Sequence, residues 1–205
     1  MAVLAVHLAR RYFVLAKEIV DVLLGAVLLI LALPVLALCA FIIRLASRGP
    51  VVFTQVRMGR HGRLFRMYKL RTMDANAEKG TGAVWAGHAD PRVIPACRWM
   101  RLSHVDELPQ LVNVIKGDMS LVGPRPERPE IMAELRKHYP DVDRRLQVRP
   151  GITGLAQIRA GYDTSIEAFR RKLTADLEYI DQRHWGMELS ILLRTVSKFH
   201  DQTAR

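Results

Sequence analysis

Hydrophobic and polar positions change rhythm several times along this chain, and each rhythm predicts an element. Residues 22–43 (VLLGAVLLILALPVLALCAFII) carry no charge. At about 1.5 Å per residue, a helix of that length matches the roughly 30 Å hydrocarbon core of a bilayer. Pro34 lies inside the run, where it deletes a backbone hydrogen bond and predicts a bend. Residues 51–57 (VVFTQVR) and 64–70 (LFRMYKL) are rich in β-branched and aromatic side chains, with Gly59 and Gly62 between them, which is the pattern of a β-hairpin. Leu108, Leu111, Val112 and Ile115 recur at helical spacing, with Pro109 in the first turn and Gly117 at the end. A helix over 129–138 follows from Pro129 at its start and Arg136, Lys137 and His138 at its end. Ile166, Phe169, Leu173, Leu177 and Ile180 form one amphipathic stripe, and residues 187–199 a second that suits packing on the domain or the membrane interface. Glycines mark residues 74–89 as a loop over the site and 149–154 as another loop. The expectation is an α+β fold, mainly helical, with a membrane-inserted segment over residues 1–48 and an interfacial domain over 49–205.

Charge sharpens this picture. The 205 residues carry 31 Lys and Arg against 20 Asp and Glu, a formal net charge of +11. Such an excess calls for an anionic partner: nucleic acid, anionic lipid or a phosphate-bearing substrate. Basic residues flank the apolar run on both sides, with Arg10, Arg11 and Lys17 before it and Arg44, Arg48, Arg57, Arg60, Arg63, Arg66, Lys69 and Arg71 after it. The positive-inside rule cannot place both flanks in the cytoplasm if the segment crosses, whereas a hairpin bent at Pro34 satisfies both. A single span with the N-terminus outside is the rival. Arg57, Arg60, Arg63 and Arg66 are expected at lipid headgroups, and Lys69 and Arg71 suit headgroups or substrate phosphate equally. Cys39 and Cys97 form no CxxC or Cys/His spacing, which argues against a zinc site. GxGxxG and Walker patterns are absent, so nucleotide binding here is not of Rossmann or P-loop type.

Candidate chemistry concentrates in residues 106–126, DELPQLVNVIKGDMSLVGPRP. Asp106 and Glu107 stand at or just before a predicted helix start, an end that suits phosphate and carboxylate alike. The ordinary use of such residues is an N-cap and a charge that complements the helix dipole. Asp118 can likewise cap the turn before it. Arg125, bracketed by Pro124 and Pro126, is pre-positioned to take a phosphate with both guanidinium arms. His88 and His104 are lone histidines with no assigned role.

This stretch, together with GPVVFTQVRMGRHGRLFRMYKLRTM (49–73), DPRV (90–93) and RPGITGLAQI (149–158), resembles the signature blocks of the bacterial sugar transferases that act on polyprenyl phosphate, the monotopic phosphoglycosyl transferases. The resemblance implies a re-entrant helix bent at Pro34, on the cytoplasmic face of the bacterial inner membrane. It implies transfer of sugar 1-phosphate from a UDP-sugar to undecaprenyl phosphate, with release of UMP, as a first membrane step of exopolysaccharide or glycoconjugate synthesis. Asp106 would be the nucleophile. Glu107 would be a metal ligand or proton-handling partner, the two carboxylates together holding Mg²⁺ or Mn²⁺. Lys69, Arg71, Thr72, Arg101, Asp118, Arg125, Arg149 and Gln157 would bind substrate. Membrane lipids are implied partners, nucleic acid is not, and a homodimer is compatible. The chain departs from the family pattern at Leu33-Pro34, where Ser-Pro is usual, at Leu155-Ala156 before Gln157, and at Arg159-Ala160-Gly161-Tyr162, a variant that resembles an exopolysaccharide subgroup. A non-catalytic, membrane-anchored basic protein is the alternative; it has no need of Asp106-Glu107 beside the Gly123–Pro126 turn.

Overall fold

The computed structural model describes residues 2–74, 90–159 and 166–198. The expected loop beyond Asp74, the 160–162 variant and the last residue of the 187–199 stripe lie outside them. The longest element is α1 (Ala2–Ala46), which runs through Pro34 as one helix. The proline leaves the Ile30 carbonyl without its usual donor, and the Leu- and Ala-rich flanks carry the helix on both sides. The two arms expected around Pro34 are therefore one helical element. It is long and apolar enough to cross a membrane.

One face of α1 is not free. Gly25 lies against Val114, Leu29 joins the main core, and Cys39 and Ile43 are fully buried with Ile94, Cys97 and Met100. With Ala32 and Leu36 between them these positions recur every three or four residues, so a single stripe of the helix packs along the domain. Leu23, Val27, Ile30, Leu31, Leu38 and Phe41, on the other faces, are exposed. Phe53 and Val56, Trp99 and Leu102, and Trp185, Leu189 and Leu193 are exposed as well. Apolar exposure on this scale marks a surface that meets another apolar phase.

The hairpin is as expected: β1 (Val52–Met58) pairs antiparallel with β2 (Leu64–Leu70), Val52 opposite Leu70 and Met58 opposite Leu64. Then come α2 (Arg98–Leu102), a short 3₁₀ turn Val105–Glu107, and α3 (Gln110–Ile115). A second pairing was not expected. β3 (Ser120–Val122) pairs in parallel with β4 (Gly151–Thr153), so part of the 149–154 loop is a strand. Glycine is what permits it: a Cβ on Gly151 would stand 2.1 Å from the Gly123 nitrogen. The remaining helices are α4 (Pro129–His138), α5 (Leu155–Arg159), α6 (Ile166–Gln182) and α7 (Trp185–Lys198), and a 3₁₀ stretch Val142–Gln147 follows α4. The main core gathers Leu111, Val114, Met119, Val122, Tyr179 and Ile191, from α3, β3, α6, α7 and the turn before β3.

Candidate active site

The chain reaches the two carboxylates through a strained corner. His104, between α2 and the 3₁₀ turn, adopts the left-handed conformation with φ 54°, and its carbonyl accepts the Glu107 N–H at 3.0 Å. A non-glycine residue there costs about 1 kcal/mol, and such cost is sustained where the surrounding structure requires it. The helix proper begins only at Gln110, and no side chain caps it. Asp106 is thus not an N-cap. Leu108, Leu111 and Val112 N–H groups are already taken by carbonyls three residues back, so this helix start offers few free donors to a phosphate. The cations must do that work instead.

Glu107 has two cations on it. Lys69 Nζ, from the end of β2, is 2.8 Å away. Arg125 meets the same carboxylate with both arms, Nη1 at 3.1 Å and Nη2 also bonded. Burial pushes Glu107 up, but Arg125 and Lys69 outweigh it and hold the carboxyl well below the usual range. Asp106 differs. It is buried, and it accepts no hydrogen bond and forms no ion pair among the described residues. Burial, and then the neighbouring Glu107 charge, push its carboxyl up to about 6, against the pull of Lys69, Arg101 and Arg125. Arg101, the half-buried last basic residue of α2, thus faces the pair through its field and pairs with no described residue. Adjacent carboxylates have been driven apart in character: one neutralised by ion pairs, the other dry and weakly held.

Of the sequence-predicted residues, the structure gathers Asp106, Glu107, Lys69, Arg101 and Arg125. It turns Arg71 elsewhere: this buried guanidinium donates to the carbonyls of Ser47 at 2.9 Å and Arg48 at 2.7 Å, tying off the end of α1. Thr72 is buried beside it, its carbonyl accepting the Ile94 N–H. Arg149 pairs with Glu18 at 3.2 Å and lies over Gly117, past the far end of α3, where Asp118 and Arg60 line the same cleft. Gln157, on α5, donates to the Ile152 carbonyl of β4. Arg57, expected at headgroups, is half-buried and donates to the Pro126 carbonyl at 3.1 Å. Burial, with Arg125 and Arg128 near, pulls its guanidinium down to about 10.

Two polar residues escaped sequence reasoning. Asn113 is fully buried and clamps α3 to β2, accepting the Tyr68 N–H at 3.1 Å and donating to the Arg66 carbonyl at 2.7 Å. Gln110 is equally buried, and its Nε2 has no partner. Only their polar character at helix-core spacing could have flagged them.

No group of three or more metal-binding side chains occurs among the described residues. Asp106 and Glu107 nevertheless fit an octahedral Mg²⁺ that takes its other ligands from water and substrate phosphates, the usual arrangement for that ion. Asp106, free of donors, is the better of the two.

The family model for bacterial sugar transferases matches residues 12–202. The UDP-glucose:undecaprenyl-phosphate glucose-1-phosphate transferase of Caulobacter vibrioides is 42% identical over 184 residues, which cover 89% of this chain and 68% of the relative. The UDP-N-acetylgalactosamine-undecaprenyl-phosphate N-acetylgalactosaminephosphotransferase of Aeromonas hydrophila is 38% identical, over 88% of this chain and 42% of its own length. The Escherichia coli UDP-glucose:undecaprenyl-phosphate glucose-1-phosphate transferase is 37% identical, over 90% of this chain and 40% of the relative. A match over almost every described element, with the carboxylate turn inside it, leaves one conclusion: this chain belongs to the bacterial sugar transferase family.

Proposed function

We propose that the chain transfers sugar 1-phosphate from a UDP-sugar to undecaprenyl phosphate in two steps through Asp106. In the first step an Asp106 carboxylate oxygen attacks the phosphorus that bears the sugar. The bond from that phosphorus to the bridging oxygen breaks, UMP leaves with the electron pair, and an acyl phosphate to the sugar remains. In the second, an oxygen of the lipid phosphate attacks the same phosphorus and frees the carboxylate. Neither step needs a net proton. The observation that carries this reading is the contrast within the pair: Asp106 buried without a donor, beside Glu107 held by Lys69 and Arg125. A dry carboxylate is a better nucleophile than a hydrated or ion-paired one. Lys69, Arg101 and Arg125 supply the positive field that a phosphoryl transition state needs. Bound Mg²⁺ would neutralise phosphate oxygens, with Asp106 and Glu107 as its protein ligands.

We place the enzyme on the cytoplasmic face of the inner membrane, with α1 dipping into the bilayer around Pro34 and both ends on one side. Support comes from the packing. Lys17 and Asp21, just before the uncharged run, and Ser47 and Arg48, just after α1, all bond to the same domain. Labelling of an Ala2→Cys variant from the periplasmic side should fail; reaction there would mean a crossing helix.

The chemical test omits the lipid acceptor. One UMP should be released per active site, and the peptide containing Asp106 should gain the mass of a phospho-sugar. If UMP appears only after undecaprenyl phosphate is added and no adduct is trapped, direct transfer replaces the covalent route.

A further inference from the structure

Four successive carbonyls of the turn that carries Arg125 are each taken by a donor from elsewhere. Gly151 N donates to Pro124 O at 2.9 Å, and Met58 N to Glu127 O at 3.0 Å. Between them, Arg145 Nη2 donates to Arg125 O at 2.9 Å and Arg57 Nη1 to Pro126 O at 3.1 Å. The two backbone donors are ordinary chain pairing. Arg145 is not. It is 5% exposed, and its Nε bonds to Asp176 Oδ2 at 2.7 Å, on α6, itself 1% exposed. Its guanidinium also covers the Phe169 ring at 5.1 Å. Burying such a pair costs several kcal/mol per ion, and well-packed apolar residues hold two elements together as well or better. Packing α6 against the Val142–Gln147 stretch therefore does not account for it. What an apolar pair cannot do is donate to the Arg125 carbonyl.

We propose that Arg145, oriented by Asp176, is a positioning residue that fixes the backbone at Arg125 so that both arms of its guanidinium meet the Glu107 carboxylate; this rests on the reading of Arg125 as part of the phosphate machinery. The mechanics are those of a lever. The guanidinium sits at the end of a long side chain, so a small pivot of the backbone shifts it by about 1 Å, a misplacement that can cost about 100-fold in rate. Asp176 takes one edge of the Arg145 fork and leaves the other for the carbonyl, a division that a planar guanidinium can make and an ammonium cannot make in the same geometry.

The test uses the full chain in detergent, with UDP-glucose and UDP-N-acetylgalactosamine as donors and undecaprenyl phosphate as acceptor. R145M/D176L removes both charges together and should melt near the parent. Its turnover should fall about 10- to 100-fold. R125A should fall at least as far, and R125A combined with R145M/D176L should fall no further than R125A alone. An additive loss, or full turnover in the folded R145M/D176L protein, overturns the proposal. If the apolar pair does not fold, R145K keeps a cation on Asp176 while giving up the fork, and the same comparison with R125A decides. Hydrogen exchange at the amides of Gly151 and Met58, which donate to the Pro124 and Glu127 carbonyls, reads the turn independently of activity. If R125A itself proves fully active, the reading of Arg125 falls and exchange judges the positioning claim: faster exchange confined to these amides supports it, and unchanged exchange overturns it.

Discussion

Two of the clusters in which this protein buries charge behave differently. Where α1 meets α7 and β3, Lys17 Nζ contacts Glu188 at 2.7 Å and Asp21 at 3.2 Å. Ser120 Oγ donates to Asp21 at 2.6 Å, and Tyr179 Oη to Glu188 at 2.7 Å. Every carboxylate there has a donor. At the other cluster, Lys69 and Arg125 converge on Glu107, whereas Asp106 has no donor and Arg101 no partner among the described residues. Buried charge alone therefore does not mark a reactive site. A closed network locks elements together, whereas bonding capacity left over beside a surplus of cations is what a phosphoryl group can use.

The comparison breaks first at Asp106. Asp106→Asn should fold, bind nucleotide sugar and lose several orders of magnitude in turnover, because an amide cannot form the acyl phosphate. If turnover survives, Asp106 is not the nucleophile. Glu107→Gln should be severely impaired as well, with altered Mg²⁺ dependence in a metal titration, since it leaves Lys69 and Arg125 without their shared carboxylate.

The closed cluster should respond in stability instead. Asp21→Ala leaves Lys17 with Glu188 alone and leaves Ser120 Oγ only the Val122 carbonyl. Breaking a buried network of this kind costs about 3–5 kcal/mol. Thermal melting should fall accordingly, while turnover per folded molecule stays near the parent value. A large loss of turnover at unchanged melting temperature would erase the distinction between the clusters.

Acid should separate them next. On the proposed route Asp106, held up at about 6, must be ionised to attack. The metal-free rate of nucleotide release should therefore fall about tenfold per pH unit below that midpoint and level off above it. Saturating Mg²⁺ should move the midpoint lower. The stability linkage of this group has the opposite sign. Its folded pKa lies above the ordinary 3.8, so the folded form holds the proton more tightly, and its contribution to stability falls as pH rises through that window.

The smallest effect belongs to the surface. Arg60 is partly exposed and pairs with Glu18 at 3.2 Å. Arg60→Ala should weaken vesicle binding by about 1 kcal/mol or less, measured by co-sedimentation with anionic lipid.

Local pattern was enough for much of this molecule. The uncharged run over 22–43 dictated a long apolar helix, because twenty-odd residues without charge have few other stable states. The β-branched and aromatic residues on either side of Gly59 and Gly62 dictated the hairpin, and the stripes after Ser165 dictated α6 and α7. Asp106, Glu107 and the proline-bracketed Arg125 stood out as candidates because all three lie in one contiguous motif block, 106–126. Only the tertiary structure decided how charges divide their labour. Arg71 and Arg125 look alike in sequence, yet one ends on the carbonyls of Ser47 and Arg48 and the other on Glu107. Arg57 turned inward for the same reason: a carbonyl was within reach. The β3–β4 pairing and the Arg145–Asp176 support join residues about thirty apart, and no periodicity records such distances. The contrast between Asp106 and Glu107 was invisible for a simpler cause. Neighbouring carboxylates have nearly the same intrinsic acidity, and it is burial and the cations brought by distant elements that separate them.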